Sequence, residues 1–187
     1  MSVSTVQSPP AARKIRLATV WLDGCAGCHM SVLDIDEALL LVAQKADIVF
    51  GPLVDAQEFP EGVDVTLVEG AISSHEDLRL IQKIRSRTRL LVSLGDCAVT
   101  SNVPSMRNSI PVSSMLQRIY VDGVQQSAGV PGEGVPGLLK QARPVHDFVK
   151  VDIHIPGCPP APKAIFSVLA DLLEGKKPDL ANKVKFG

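Results

Sequence analysis

Aromatic residues make up only 4% of this 187-residue chain, with a single Trp and a single Tyr among them. A core built without them must be aliphatic, packed from Val, Leu, Ile and Ala. A surplus of one charge sign is missing as well: 19 basic residues face 20 acidic ones, for a formal net charge of −1. That balance argues against a polyanion-binding surface. The densest basic stretch, Arg79, Lys83, Arg85, Arg87 and Arg89, has no interleaved aromatics. It reads as the solvated face of an amphipathic helix and the strand after it, so nucleic acid is not an expected partner. No apolar run approaches the roughly 18–20 residues that cross a bilayer. Met1 to Ala12 are rich in Ser, Pro and Ala, without an apolar h-region or a twin arginine, and residues 1–13 read as a disordered lead-in. These absences lead to the expectation of a soluble, cytoplasmic protein with no membrane association. No Ser–His–Asp set and no paired carboxylates can be argued from the sequence, so no catalytic site within this chain is expected.

What is present suits one domain, placed at residues 14–187. Hydrophobic residues reach 45% and mean hydropathy is +0.19, enough for a core without disulfides and apolar enough to keep a face for a partner. Lys14 to Leu22 reads as a strand buried on both faces. A loop from Asp23 to Gly27 leads to a helix from His29 to Ala46, with Val32, Leu33, Leu39, Leu40 and Ala43 at helical spacing. Strands are expected at Asp47–Phe50, Val63–Val68, Leu90–Leu94 and Val149–Ile155. Ser74 is a good N-cap, with Asp77 in a box-like position, for a helix running to about Arg87. Pro162 to Glu174 is the last helix, ended by Gly175. From Ser101 to Pro144, prolines 104, 111, 131, 136 and 144 break the pattern. That stretch reads as a long irregular insertion with one helical piece near Ser113 to Ile119, expected to pack on a partner. Alternating strands and helices imply βαβ units, and the expected fold is a flavodoxin-like doubly wound parallel sheet.

In such sheets ligands bind beyond the carboxyl ends of the strands, and the four cysteines all fall there. Cys25 and Cys28 follow the first strand, Cys97 follows Leu90–Leu94, and Cys158 follows Val149–Ile155. Each has Gly or Pro nearby, at Gly24, Gly27, Gly95, Gly157 and Pro159. Glycine lets backbone approach a bulky inorganic ligand, and its amide can point at sulfide. In a reducing compartment four such cysteines argue for metal or redox chemistry over disulfides. Four thiolates from three loops are what one cubane [4Fe–4S] cluster needs, and four cysteines allow no more than one.

Other readings stay open. Cys25-Ala-Gly-Cys28-His29 has the literal form of a c-type haem attachment site, although that chemistry goes with small, mostly helical exported proteins. A thioredoxin-like dithiol would use Cys25 and Cys28 at a helix start but leaves Cys97 and Cys158 unexplained. A zinc-stapled, non-redox binding domain is chemically reasonable, though such sites more often pair two C-x-x-C knuckles. A flavin would compete with the cysteines for the loop after the first strand. Glu69, at the end of a buried strand on the same edge, could serve a proton path or a subunit contact, or be a solvent-facing strand end. Asp23 and Asp96 read as turn formers, His29 as a helix-start residue beside the cluster and not a ligand, and His154 as a partly buried, hydrogen-bonded residue. His75 and His146 carry no signal.

Taken together, Cys25-Ala-Gly-Cys28-His29-Met30-Ser31, Val68-Glu-Gly-Ala-Ile72, Gly95-Asp-Cys97-Ala98, Ala142-Arg-Pro-Val145 and Pro156-Gly-Cys-Pro-Pro160 resemble the small subunit of [NiFe]-hydrogenases. The likeness is nearest to the cytoplasmic, bidirectional, NAD-reducing type and runs from about Lys14 to Glu174. The resemblance implies that Cys25, Cys28, Cys97 and Cys158 hold one [4Fe–4S] cluster, termed proximal, with Glu69 near it and near the subunit contact. It implies a large-subunit partner carrying the Ni–Fe centre, and diaphorase subunits with Fe–S clusters and FMN that reduce NAD. The chain lacks the leader and the C-terminal cysteine-rich domain of the exported small subunits. The related quinone-reductase subunit of complex I has adjacent cysteines where this chain has C-x-x-C. Small subunits of F420-reducing and sulfur-linked hydrogenases are nearer alternatives.

Overall fold

The computed structural model describes residues 13–181, 183, 184 and 186; the expected lead-in therefore lies, Arg13 apart, outside the described residues. In chain order the strands are β1 (Ile15–Trp21), β2 (Ala46–Phe50), β3 (Val63–Glu69), β4 (Ile72–Ser74), β5 (Thr88–Leu94), β6 (Leu138–Arg143) and β7 (Ile153–Ile155). The helices are α1 (Gly27–Leu33), α2 (Leu39–Lys45), α3 (His75–Arg87), α4 (Asp96–Thr100), α5 (Val112–Gln117) and α6 (Pro162–Leu173). Five strands form an all-parallel sheet in the order β2-β1-β3-β5-β7. Counting only its own strands, that order is 2-1-3-4-5, the flavodoxin-like arrangement expected from the sequence.

Alternation along each strand sends apolar side chains to both faces, which is why the strands read as continuous apolar runs. One face presents Leu17, Val65, Leu67, Val92, Leu94 and Ile155 to Val42 of α2 and to Ile165, Val168, Leu169 and Leu172 of α6. The other presents Ala18, Val20, Val68 and Leu91 to Ile81 and Ile84 of α3, with Phe59 and Val145 completing the layer. Few aromatics are needed: Phe50 and Phe59 meet edge-to-face at 5.2 Å, Phe148 and Phe166 pack at the margins of the two layers, and the remaining core is aliphatic. The capping box at the start of α3 is present in full. The Ser74 hydroxyl accepts from the Asp77 N–H, and the Asp77 carboxylate accepts from the Ser74 N–H. The basic stretch is a paired, solvated face, with Lys83 on Glu58, Arg85 on Asp152 and Arg87 on Glu61. No helix among the described residues is long and apolar enough to cross a membrane.

Three elements differ from the sequence reading. The single helix expected over His29–Ala46 is two, α1 and α2, joined by a 3₁₀ turn at Asp36–Ala38. Ile35 turns into the core at the break, and the apolar phase shifts, so that Val42 is buried while Leu40 and Leu41 are exposed. The last strand is only Ile153–Ile155. Upstream of it the Asp152 carboxylate, not main chain, accepts the Leu91 N–H at 2.9 Å, and Phe148, Val149 and Val151 turn to the α3 layer. The insertion holds its helical piece as α5 continued by a π turn at Arg118–Asp122, but also β6, which the sequence did not reveal. β6 pairs antiparallel with three-residue β4, and the Asn108 side-chain amide satisfies both the N–H and the carbonyl of Ala142. A strand completed by a side chain leaves no alternating pattern to read.

Asp152 also accepts from Arg85 at 2.7 Å. Burial pushes its carboxyl up, but the Leu91 N–H and the Arg85 guanidinium outweigh that and hold it below the usual value. A carboxyl depressed in the folded state stabilises the fold above its unfolded pKa, about 3.9, and loses that contribution as pH falls through the folded value. Asp152→Asn should therefore narrow the gap in urea-unfolding stability between about pH 7 and pH 3. An unchanged gap would contradict the assignment.

Candidate functional site

Register places the ends of four strands on one line. Trp21 of β1 pairs with Glu69 of β3, Glu69 with Leu94 of β5, and Leu94 with Ile155 of β7. Beyond that line the chain turns away at Gly24, Gly70, Gly95 and Gly157. Three of these turns deliver the cysteines, and β3 delivers Glu69. The four side chains Cys25, Cys28, Cys97 and Cys158, together with Glu69, line one cavity of about 110 Å³ whose walls are otherwise mostly glycine and Pro159. All four thiols are free; Cys28 and Cys97 are half-buried, Cys25 and Cys158 exposed.

Two glycines are required there. Gly95 has φ +83°, and a Cβ at that position would overlap Cys28 Sγ. Gly157 has φ +139°, and a Cβ would come within 2.6 Å of Pro160 Cα. The backbone thus approaches the cavity more closely than any side chain permits.

Hydrogen bonds between loops hold the cavity open. The Asp23 and Ala71 main chains exchange bonds of 3.2 and 2.8 Å, tying the first cysteine loop to the turn after β3. Asp96 is 5% exposed; its N–H donates to the Gly157 carbonyl at 2.9 Å and its carboxylate accepts from the Gly157 N–H at 2.7 Å. That pair ties the Cys97 loop to the Cys158 loop. The Ser31 hydroxyl donates to the Pro160 carbonyl, joining α1 to the same loop. Both aspartates shape turns as expected, but Asp96 does more, because its partner lies across the sheet edge in a different loop.

Glu69 is 2% exposed, which overturns its reading as a solvent-facing strand end. Its Oε2 accepts from the His29 backbone N–H at 2.6 Å and lies 2.7 Å from His29 Nδ1. His29 sits in the first turn of α1 with its ring held by this carboxylate, while Nε2 is buried without a hydrogen-bond partner among the described residues. His154 is partly buried, with Nδ1 2.8 Å from Ser93 Oγ. Burial and the neighbouring His146 ring lower its pKa.

Burial, the Glu69 charge and the other three cysteines push the Cys28 thiol far above the ordinary range. Burial pushes Cys97 up too, opposed by the Val103 N–H and reinforced by Cys158, Cys25 and Glu69. Four thiolates and a carboxylate can coexist in such a place only around concentrated positive charge, and metal binding would displace the thiol protons. Among the described residues no three His, Cys, Asp or Glu side chains are grouped to hold a single metal ion. The four sulfurs line one cavity, a donor set whose chemistry fits a thiolate-bound metal group. Asn102, unmarked by any sequence signal, also reaches the site, with its amide nitrogen 3.5 Å from Cys158 Sγ.

Residues 25–172 match the family model described as NADH ubiquinone oxidoreductase, 20 Kd subunit. The chain is 38% identical over 172 residues to a subunit of the vhu F420-non-reducing hydrogenase of Methanocaldococcus jannaschii, covering 91% of this chain and 60% of that one. It is 37% identical over 179 residues to the delta subunit of the NAD-reducing hydrogenase HoxS of Cupriavidus necator, covering 91% and 84%. Among solved structures it superposes with a TM-score of 0.90 and 35% identity on a chain of the NAD⁺-reducing [NiFe]-hydrogenase in the H₂-reduced state, covering 94% of this chain and 100% of that chain. A [NiFeSe]-hydrogenase chain from Dm. baculatum, 21% identical with a TM-score of 0.55, shares the fold.

Asp96→Ala removes the acceptor of a buried amide, a loss of about 1–3 kcal/mol, whereas Asp96→Asn keeps an oxygen there. Urea unfolding should show a clear drop for the alanine variant and a smaller one for asparagine. Wild-type stability in Asp96→Ala would contradict the loop tie.

Proposed function

The chain belongs to the family of the NADH ubiquinone oxidoreductase, 20 Kd subunit, and on that footing we propose that it is the electron-transfer small subunit of a soluble, cytoplasmic NAD-reducing [NiFe]-hydrogenase. Cys25, Cys28, Cys97 and Cys158 hold one [4Fe–4S] cluster, the proximal one. Its partners are a large subunit with the Ni–Fe centre and diaphorase subunits with Fe–S clusters and FMN, where NAD is reduced. The observation that carries this reading is the convergence of four free thiols from three loops on one glycine-walled cavity. The likeness to a chain of the NAD⁺-reducing enzyme, over that chain's whole length, supports the NAD-reducing type.

When bound, the cluster supplies one-electron transfer. This chain's residues bind and orient it. Glycines 95 and 157 bring main chain to the cavity wall, the Asp96–Gly157 pair fixes the distance between two cysteine loops, and Glu69 clamps the first turn of α1 that carries Cys28. The 2.7 Å approach of Glu69 Oε2 to His29 Nδ1 supports a role for Glu69 in a proton path or near the subunit contact. The active site for hydrogen lies on the large subunit, so the isolated chain catalyses nothing.

The 38% identity to the vhu hydrogenase subunit supports a second reading, a subunit of a hydrogenase with another electron acceptor. This chain spans about 60% of that relative's length and 84% of the HoxS delta subunit. Replacing any one of the four cysteines by Ser in the assembled complex should abolish hydrogen-dependent NAD⁺ reduction. Full activity in Cys97→Ser would sink the ligand assignment, and hydrogen oxidation coupled to an acceptor other than NAD⁺, with no NAD⁺ reduction, would favour the second reading.

A further inference from the structure

The segment that follows α4 is Ser101-Asn102-Val103, and it folds back over the cysteine cavity, not away from it. Ser101 closes α4 with φ +67° and its N–H on the Cys97 carbonyl at 3.0 Å, and the chain then turns sharply at Asn102, with φ 17° and ψ −116°. Two donors emerge from this turn and reach sulfur atoms of two different loops. The Asn102 side-chain amide lies 3.5 Å from Cys158 Sγ, within the range of an N–H···S hydrogen bond, where sulfur's larger radius lengthens the bond. The Val103 backbone N–H opposes the upward push of burial on the Cys97 thiol. Asn102 is half-buried, and no other side-chain hydrogen bond to a cysteine sulfur is seen among the described residues. The Ser105 N–H and hydroxyl both bond the Asn102 carbonyl, at 3.2 and 2.7 Å, so the main chain bearing the amide is held in place independently of the sulfur.

We propose that Asn102 is a positioning residue that sets the reduction potential of the cluster by donating its side-chain N–H to the Cys158 thiolate. The inference rests on the cluster reading given above. An amide donor places the positive end of its dipole against the ligand sulfur, and the reduced cluster, carrying one more negative charge, is stabilised more than the oxidised one. Hydrogen bonds to the sulfurs are among the protein's means of setting such potentials. Cys158 is one of the two exposed ligands, where solvent and a partner surface would otherwise set the sulfur's surroundings, so a fixed donor has the most to do there. The Val103 N–H acts alike on Cys97, but as a main-chain group it cannot be removed by a side-chain change.

The test is an EPR-monitored redox titration of the assembled complex, with iron and sulfide assayed on the same samples, for wild type, Asn102→Leu and Asn102→Asp. Both variants should keep wild-type iron and show a more negative midpoint potential for this cluster. Asn102→Asp should move furthest, because it keeps the shape but exchanges a donor for a negative charge. A merely structural asparagine would change iron content or stability without shifting the potential of the cluster that remains. If Asn102→Leu loses its iron, the isosteric Asn102→Asp decides, and a wild-type potential there overturns the proposal. A wild-type complex whose chain holds no iron or sulfide refutes the cluster reading itself, and that outcome is distinguishable from an unshifted potential in a fully loaded variant.

Discussion

The in-register pairing of four parallel strands at Trp21, Glu69, Leu94 and Ile155 is the constraint on which the rest depends. Because these ends lie on one line, the loops that leave them start from a common level, and sulfurs distant in sequence reach one cavity. A slip of one residue in any strand would turn its core side chains to the wrong face and move its loop out of reach. The aliphatic layers on both faces of the sheet therefore serve the site indirectly. They fix the register, and the register fixes where Cys25, Cys28, Cys97 and Cys158 can meet.

Electrostatics supplies the second constraint. A buried carboxylate and four thiols share a cavity whose other walls are nearly all glycine and proline, and burial together with these neighbours pushes Cys28 and Cys97 toward the protonated state. The protein answers with directed hydrogen bonds: Glu69 on the His29 amide, Asp96 on the Gly157 amide, and Asn102 and Val103 on two sulfurs. On the proposed cluster reading, the bulk of the compensating charge would come from the metal group that the four cysteines would hold, and a fixed arrangement of this kind would suit an electron carrier.

Much of this was legible in the sequence, for physical reasons. Strands buried on both faces are continuous apolar runs, so β1, β3 and β5 stood out, and the rule that ligands sit beyond carboxyl strand ends placed the cysteines at one edge. The Ser74–Asp77 box and the Pro162 helix start are local signals, and both are present in the fold. What escaped depended on long-range partners. β6 is completed by the Asn108 side chain and a three-residue strand, so it has no pattern of its own. The break near Ile35 comes from tertiary burial overriding helical spacing. For Glu69 the sequence left a solvent-facing strand end and a functional carboxylate both open, because its partner His29 is 40 residues away in sequence. Asn102 has no motif at all; only the turn after α4 shows that its amide meets a sulfur from the last strand's loop.

The most direct test of the whole account is the metal content of the chain purified anaerobically within its complex, with the large and diaphorase subunits subtracted by parallel assay. The account predicts roughly four irons and four acid-labile sulfides for this chain, with a reduced-cluster EPR signal after dithionite. About one zinc per chain, with no iron or sulfide and no signal, would contradict it and leave a zinc-stapled binding domain in its place.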